Sequence, residues 1–129
     1  MTATLNLIGL VVDDMARSLA FYRRLGLAIP AEADTQPHVE YRLAEGVVLA
    51  WDTAEVIRSY DPEWTAPTGG PAVALAFEFA TPAEVDKAYA ELVEAGYRSH
   101  KAPWDAFWGQ RYADVHDPDG NSAHLYAAL

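Results

Sequence analysis

The chain of 129 residues contains no cysteine. That excludes a disulfide framework, a thiolate nucleophile and a zinc–thiolate site, and it fits a reducing, cytoplasmic setting. Positive charge is also scarce: 9 Lys and Arg against 19 Asp and Glu leave a formal net charge of −10. A nucleic-acid partner is therefore not expected, because holding phosphates takes basic footing. The same acidity would attract cationic small molecules over long range, or serve solubility alone. No apolar run is long enough for a membrane span, and the opening MTATLNLIGLVV has no basic leader. Neither a signal peptide nor a membrane partner is expected.

What is present points to one folded domain over residues 1–129. The hydrophobic fraction of 51% suffices for a core, and 12% aromatic residues argue against disorder. The densest stretch runs from Trp104 to Tyr126, WDAFWGQRYADVHDPDGNSAHLY. It reads as two antiparallel strands around Asp117-Pro118-Asp119-Gly120. That tetrapeptide suits a type I turn, with Asp first, Pro presetting φ at the second position and Gly at the fourth. Two Trp, one Phe, two Tyr and two His in one hairpin are more than folding requires, and they are expected to wall a cleft.

The remainder carries a repeat. Residues 5–12 read as a buried strand. Asp13 or Asp14 then caps a helix bearing Met15, Leu19, Tyr22 and Leu25, and Gly26 stops it. Extended segments are expected from Leu27, over 39–43 and over 47–51. Residues 72–79 start the programme again, with Thr81-Pro82-Ala83-Glu84 as a capping box and Val85, Tyr89, Leu92 and Val93 on the buried helix face. A shift of 67 puts Leu7 on Ala74 and the cap Asp14 on Thr81. Module one covers about residues 1–52, a linker with a possible short helix at 54–60 covers about 53–71, and module two covers about 72–129.

Side chains alternate across a strand. Ile8, Leu10 and Val12 fall on one face of the first strand, and Val73, Leu75, Phe77 and Phe79 on one face of its repeat. The opposite faces, Leu7, Gly9, Val11 and Ala72, Ala74, Ala76, Glu78, are shallow. Room above them is expected to hold a guest, or aromatics from elsewhere in the chain or from a second copy.

These residues also carry a family likeness. Asp14-Met-Ala-Arg-Ser-Leu-Ala-Phe-Tyr-Arg-Arg-Leu-Gly26 resembles the first helix of the vicinal oxygen chelate superfamily, which includes glyoxalase I, extradiol dioxygenases, and fosfomycin and bleomycin resistance proteins. Residues 84–96 resemble its second helix, and Trp108-Gly-Gln-Arg111 with Asp117-Pro-Asp-Gly-Asn121 its closing hairpin. The resemblance implies an α+β fold of two βαβββ modules, whose curved mixed sheets surround a cleft, and a homodimer. Metal-dependent relatives would place ligands at Leu7, at Leu49 or Ala50, at Ala74 and at His124. Only His124 has a donor side chain, and a divalent cation wants three or more. No metal or other cofactor is expected there.

Three functions are consistent with this pattern. The first is a protein that binds a planar or cationic small molecule through Trp51, Glu78, Trp104, Phe107, Trp108, Tyr112 and His124, with Glu40 and Asp105 as further acidic groups. The second is an enzyme using His124 as a general base. The third is a metal-dependent lyase, isomerase or dioxygenase with a site displaced onto His124, Glu78 and Glu40. His38 is expected to be solvated and His116 to help pin the turn.

Overall fold

The computed structural model describes residues 1–129, with the side chain of Glu45 left outside the description. The chain divides into two compact units, residues 1–67 and 68–129.

The first unit holds a three-stranded sheet in the order β1-β3-β2, formed by β1 (Leu7–Val12), β2 (His38–Arg42) and β3 (Val48–Thr53). β1 runs parallel to β3, with Leu10 beside Trp51, and β2 is antiparallel to β3. Helix α1 (Met15–Arg24) begins where Asp14 accepts from the Arg17 amide. It buries Met15, Ser18, Leu19, Phe21 and Tyr22. Tyr22 meets the Trp51 ring edge-on at 5.6 Å, and Trp51 is fully buried. The expected short helix forms as α2 (Ala54–Tyr60), capped by Thr53, whose hydroxyl accepts from the Val56 amide.

One expected strand is absent. The segment after Gly26 buries Leu27 and Ile29 but pairs with no strand. Its polar groups are met by local backbone bonds and by side chains. Arg23 donates to the carbonyls of Ile29 at 2.8 Å and Pro30 at 2.7 Å, and Tyr41 Oη accepts from the Ala28 amide. With those groups satisfied, the segment holds its place without a ladder. The first unit therefore has three strands rather than four.

The second unit is the full βαβββ motif. Its sheet, in the order β4-β7-β6-β5, comprises β4 (Ala74–Glu78), β5 (Arg98–Ala106), β6 (Gln110–His116) and β7 (Ser122–Ala128). β4 is parallel to β7, and the other pairings are antiparallel. Helix α3 (Pro82–Glu94) packs on β5, β6 and β7 through Val85 and Leu92. Val93, expected in the core, is 38% exposed, and Val73 lies just before β4 and is exposed as well.

The repeat is physical. Asp14 and Thr81, separated by the shift of 67, are both helix N-caps. Both helices end alike: Gly26 and Gly96 take φ of 100° and 99°, and the Leu27 and Tyr97 amides reach back to the Tyr22 and Leu92 carbonyls. This is the Schellman ending, in which a left-handed glycine lets the chain satisfy the helix's last carbonyls.

Candidate functional site

The second unit's sheet has two unlike faces. Ala113, Val115, Ala123, Leu125 and Ala127 point to α3 and are buried. The other face carries Ala74, Ala76 and Glu78 from β4, Ser122, His124 and Tyr126 from β7, and Tyr112, Asp114 and His116 from β6. Ala76 lies directly beside His124, so the small residues of β4 leave the imidazole uncovered from that side.

Aromatic rings form a connected row along this face. Trp104 meets Trp108 at 6.1 Å and Tyr112 at 5.6 Å, both edge-to-face, and Trp108 meets Tyr112 at 5.5 Å. Tyr112 stacks on Tyr126 at 5.8 Å. Phe107 touches only the outer end of the row, against Trp108, and is 97% exposed at the turn closed by Gly109. Trp108 is half exposed, its indole N–H donating to Gln110 Oε1. Lys101 Nζ sits 4.6 Å from the Trp104 ring centroid, a cation–π contact within the chain.

Beyond the row lies a polar group. Tyr112 Oη is 2.9 Å from His124 Nδ1, and His124 Nε2 is 3.5 Å from Asp114 Oδ2. Burial, with Tyr126 and Asp114 nearby, pushes the Tyr112 hydroxyl above its ordinary value of 10. Tyr112 thus keeps its proton at neutral pH, and Tyr112, His124 and Asp114 form one connected polar array. Such an array can pass a proton or hold a polar ligand group.

Next to it, His100 and His116 stack with centroids 4.9 Å apart and planes at 13°. The strand register shifts from Ser99 opposite Val115 to Lys101 opposite Asp114. His100 and Lys101 therefore share one partner, which is a β-bulge, and bulges re-aim side chains. His100, Asp114, His116, Ser122 and His124 line a recess of about 400 Å³. A recess of about 490 Å³ in the first unit, beside Asp14, Pro37, Thr53 and Glu55, contains neither aromatic nor histidine.

The hairpin turn is built as its sequence requires, with the Gly120 amide bonded to the Asp117 carbonyl. It is pinned by Asp117, not by His116. The buried Asp117 carboxylate accepts from the amides of Asp119 and Asn121 and from Asn121 Nδ2, each at 2.9 Å.

Of the residues expected to contact a ligand, the structure brings Glu78, Trp104, Trp108, Tyr112 and His124 to one face and leaves Phe107 at its rim. Trp51 is elsewhere, inside the first unit, where its register with Leu10 turns it toward α1. Asp105 is held by Arg111, which also binds Asp86 of α3. Glu40 is held by His38, whose other nitrogen meets Asp52. His38 is thus an ion-pair centre instead of a freely solvated ring. Asp114 and His100 were not singled out by sequence. Asp114 was findable, because period two puts it between Tyr112 and His116. His100 depends on the bulge, for which Pro103 is the only nearby signal, since proline inside a sheet favours bulges and edges.

At the positions where the family resemblance would put metal ligands, Leu7, Leu49, Ala50 and Ala74 offer no donor. His124 has both nitrogens facing Tyr112 and Asp114. These residues do not fit a chelated cation.

The comparisons with known proteins agree with this architecture. The model of the Glyoxalase/Bleomycin resistance protein/Dioxygenase superfamily matches residues 4–125. A glyoxalase/bleomycin resistance protein/dioxygenase from Nocardioides is 27% identical, with a TM-score of 0.74 over 100% of this chain and 85% of its own. A family enzyme from Burkholderia phytofirmans superposes with a TM-score of 0.82 at 20% identity, over 98% of this chain and 100% of its own. A glyoxalase-related enzyme from Fulvimarina pelagi gives 0.77 at 21% identity, over 98% and 88%. None of the curated proteins compared matches the chain.

Proposed function

Since the chain belongs to the Glyoxalase/Bleomycin resistance protein/Dioxygenase superfamily, we propose that it binds a planar, positively charged organic molecule on the open face of the second unit's sheet. The observation that carries this reading is the ring row Trp104, Trp108, Tyr112 and Tyr126, with the exposed carboxylate of Glu78 beside Tyr126. Aromatic faces attract cations through their quadrupoles, at about 0.5–2 kcal/mol per contact. The alanines of β4 leave space for a flat guest to lie against the sheet. The net charge of −10 favours its approach. In solution, planar dications should quench tryptophan fluorescence, and Trp108→Ala should weaken binding about tenfold. A panel of such cations producing no response at low salt would overturn the reading.

One observation favours a second reading, an enzyme working through acid–base chemistry: the linked groups Tyr112, His124 and Asp114. Mass spectrometry of a bound ligand after prolonged incubation separates the two. A binder returns it unchanged, whereas an enzyme yields a product that His124→Ala no longer forms.

A further inference from the structure

We propose that His100, Asp114 and His116 form a binding site for a divalent transition cation, at a place distinct from the ligand positions the family resemblance implies. One ligand atom from each lies within 4.8 Å of the others. Two imidazoles and a carboxylate are a nitrogen–oxygen donor set suited to zinc, cobalt, nickel or iron.

Four observations converge on these three residues. His116 is 7% exposed, and its Nε2 has no hydrogen-bond partner. Asp114 Oδ1 is likewise buried and unpartnered, although Oδ2 is met by Ser122 Oγ and His124 Nε2, each at 3.5 Å. Buried polar atoms are nearly always satisfied, so two orphans on adjacent side chains mark a place where something binds. The His100 and His116 rings are nearly parallel with centroids 4.9 Å apart, which sets the two imidazoles side by side. The bulge at His100 brings that side chain to the recess, next to Asp114.

The geometry is close to what an ion requires. Ligands about 2.0–2.1 Å from a tetrahedral cation sit roughly 3.3 Å apart, so the widest separation in the group has to contract by up to about 1.5 Å. His100 is exposed on a bulge and is free to turn in. Ser122 and His124 act behind Asp114, orienting the carboxylate in the way that outer partners tune metal ligands. Three protein donors leave at least one coordination position for water or a ligand atom, and the recess gives access to it. The proposal goes beyond small-molecule binding on the ring row and survives if that reading fails.

The test uses full-length, tag-free protein stripped with a chelator, titrated with zinc by calorimetry and with cobalt by absorption. One ion per chain in the micromolar range or tighter is expected, with the intense visible bands of low-coordinate cobalt. His100→Ala and His116→Ala should each weaken binding beyond the roughly 10–100-fold that an outer partner is worth. His38→Gln, in the first unit, should leave it unchanged. His116→Ala removes a buried ring, so exposed His100→Ala is the decisive variant, and zinc should raise the thermal midpoint of the wild type but not of this variant. Absence of stoichiometric binding, or binding indifferent to His100→Ala, overturns the proposal.

Discussion

His38 shows at the scale of one residue how two carboxylates reset a side chain. Its Nε2 lies 2.7 Å from Glu40 and its Nδ1 2.6 Å from Asp52. The hydrogen bond to Glu40 raises its pKa above the ordinary 6.5 most, then that to Asp52, while partial burial opposes them. A folded-state pKa above the unfolded one stabilises fully below the unfolded pKa, and that stability is lost as pH rises through the folded value. Side-chain exposure of 46% means water screens the pairs, so their worth is at most about 1 kcal/mol. Urea unfolding of wild type against His38→Gln should show the variant less stable near pH 6, with the gap closing as pH rises through the raised folded-state value. A gap that widened with pH would contradict the assignment. Asp117 is the opposite case, a buried carboxylate whose three short bonds serve the turn.

At the scale of elements, local rules carry most of the fold. Thr81 accepts from the Glu84 amide at 3.3 Å while Glu84 accepts from the amides of Thr81 and Ala80, the capping box read from the four residues alone. Thr81→Ala should lower the unfolding free energy by about 1 kcal/mol, and Thr81→Ser by much less, in denaturant titrations. Equal losses would mean that the hydroxyl does not act as a cap. Caps, glycine stops and period-two alternation were legible because each depends on residues a few positions apart. The strand missing after Gly26 was not, because what replaces its ladder comes from Arg23 and Tyr41, which no local pattern links to Ile29. The placement of Trp51 was hidden for the same reason: its register beside Leu10, turned toward α1, is a long-range fact. The aromatic face was largely readable, while the His100 bulge beside it was not.

Across the whole molecule, the two repeated units have diverged in what they offer. The second unit has the complete βαβββ motif, a row of aromatic rings and a cluster of three histidines around Asp114 on one open face. The corresponding face of the first unit is occupied near Asp52 by the His38 ion pairs. No described helix is long and apolar enough to cross a membrane. The superfamily resemblance leads us to propose a homodimer, which sedimentation equilibrium checks directly, a monomer mass at tens of micromolar contradicting it. The claim on which the rest depends is that the second unit's open sheet face receives the ligand. Backbone amide shifts of labelled protein, followed while a planar dication is added, test it most directly. The account predicts saturable shifts concentrated on β4, β6 and β7 around Ala76, Tyr112 and His124. Shifts confined to the first unit, or scattered over acidic surface without saturation, would contradict it.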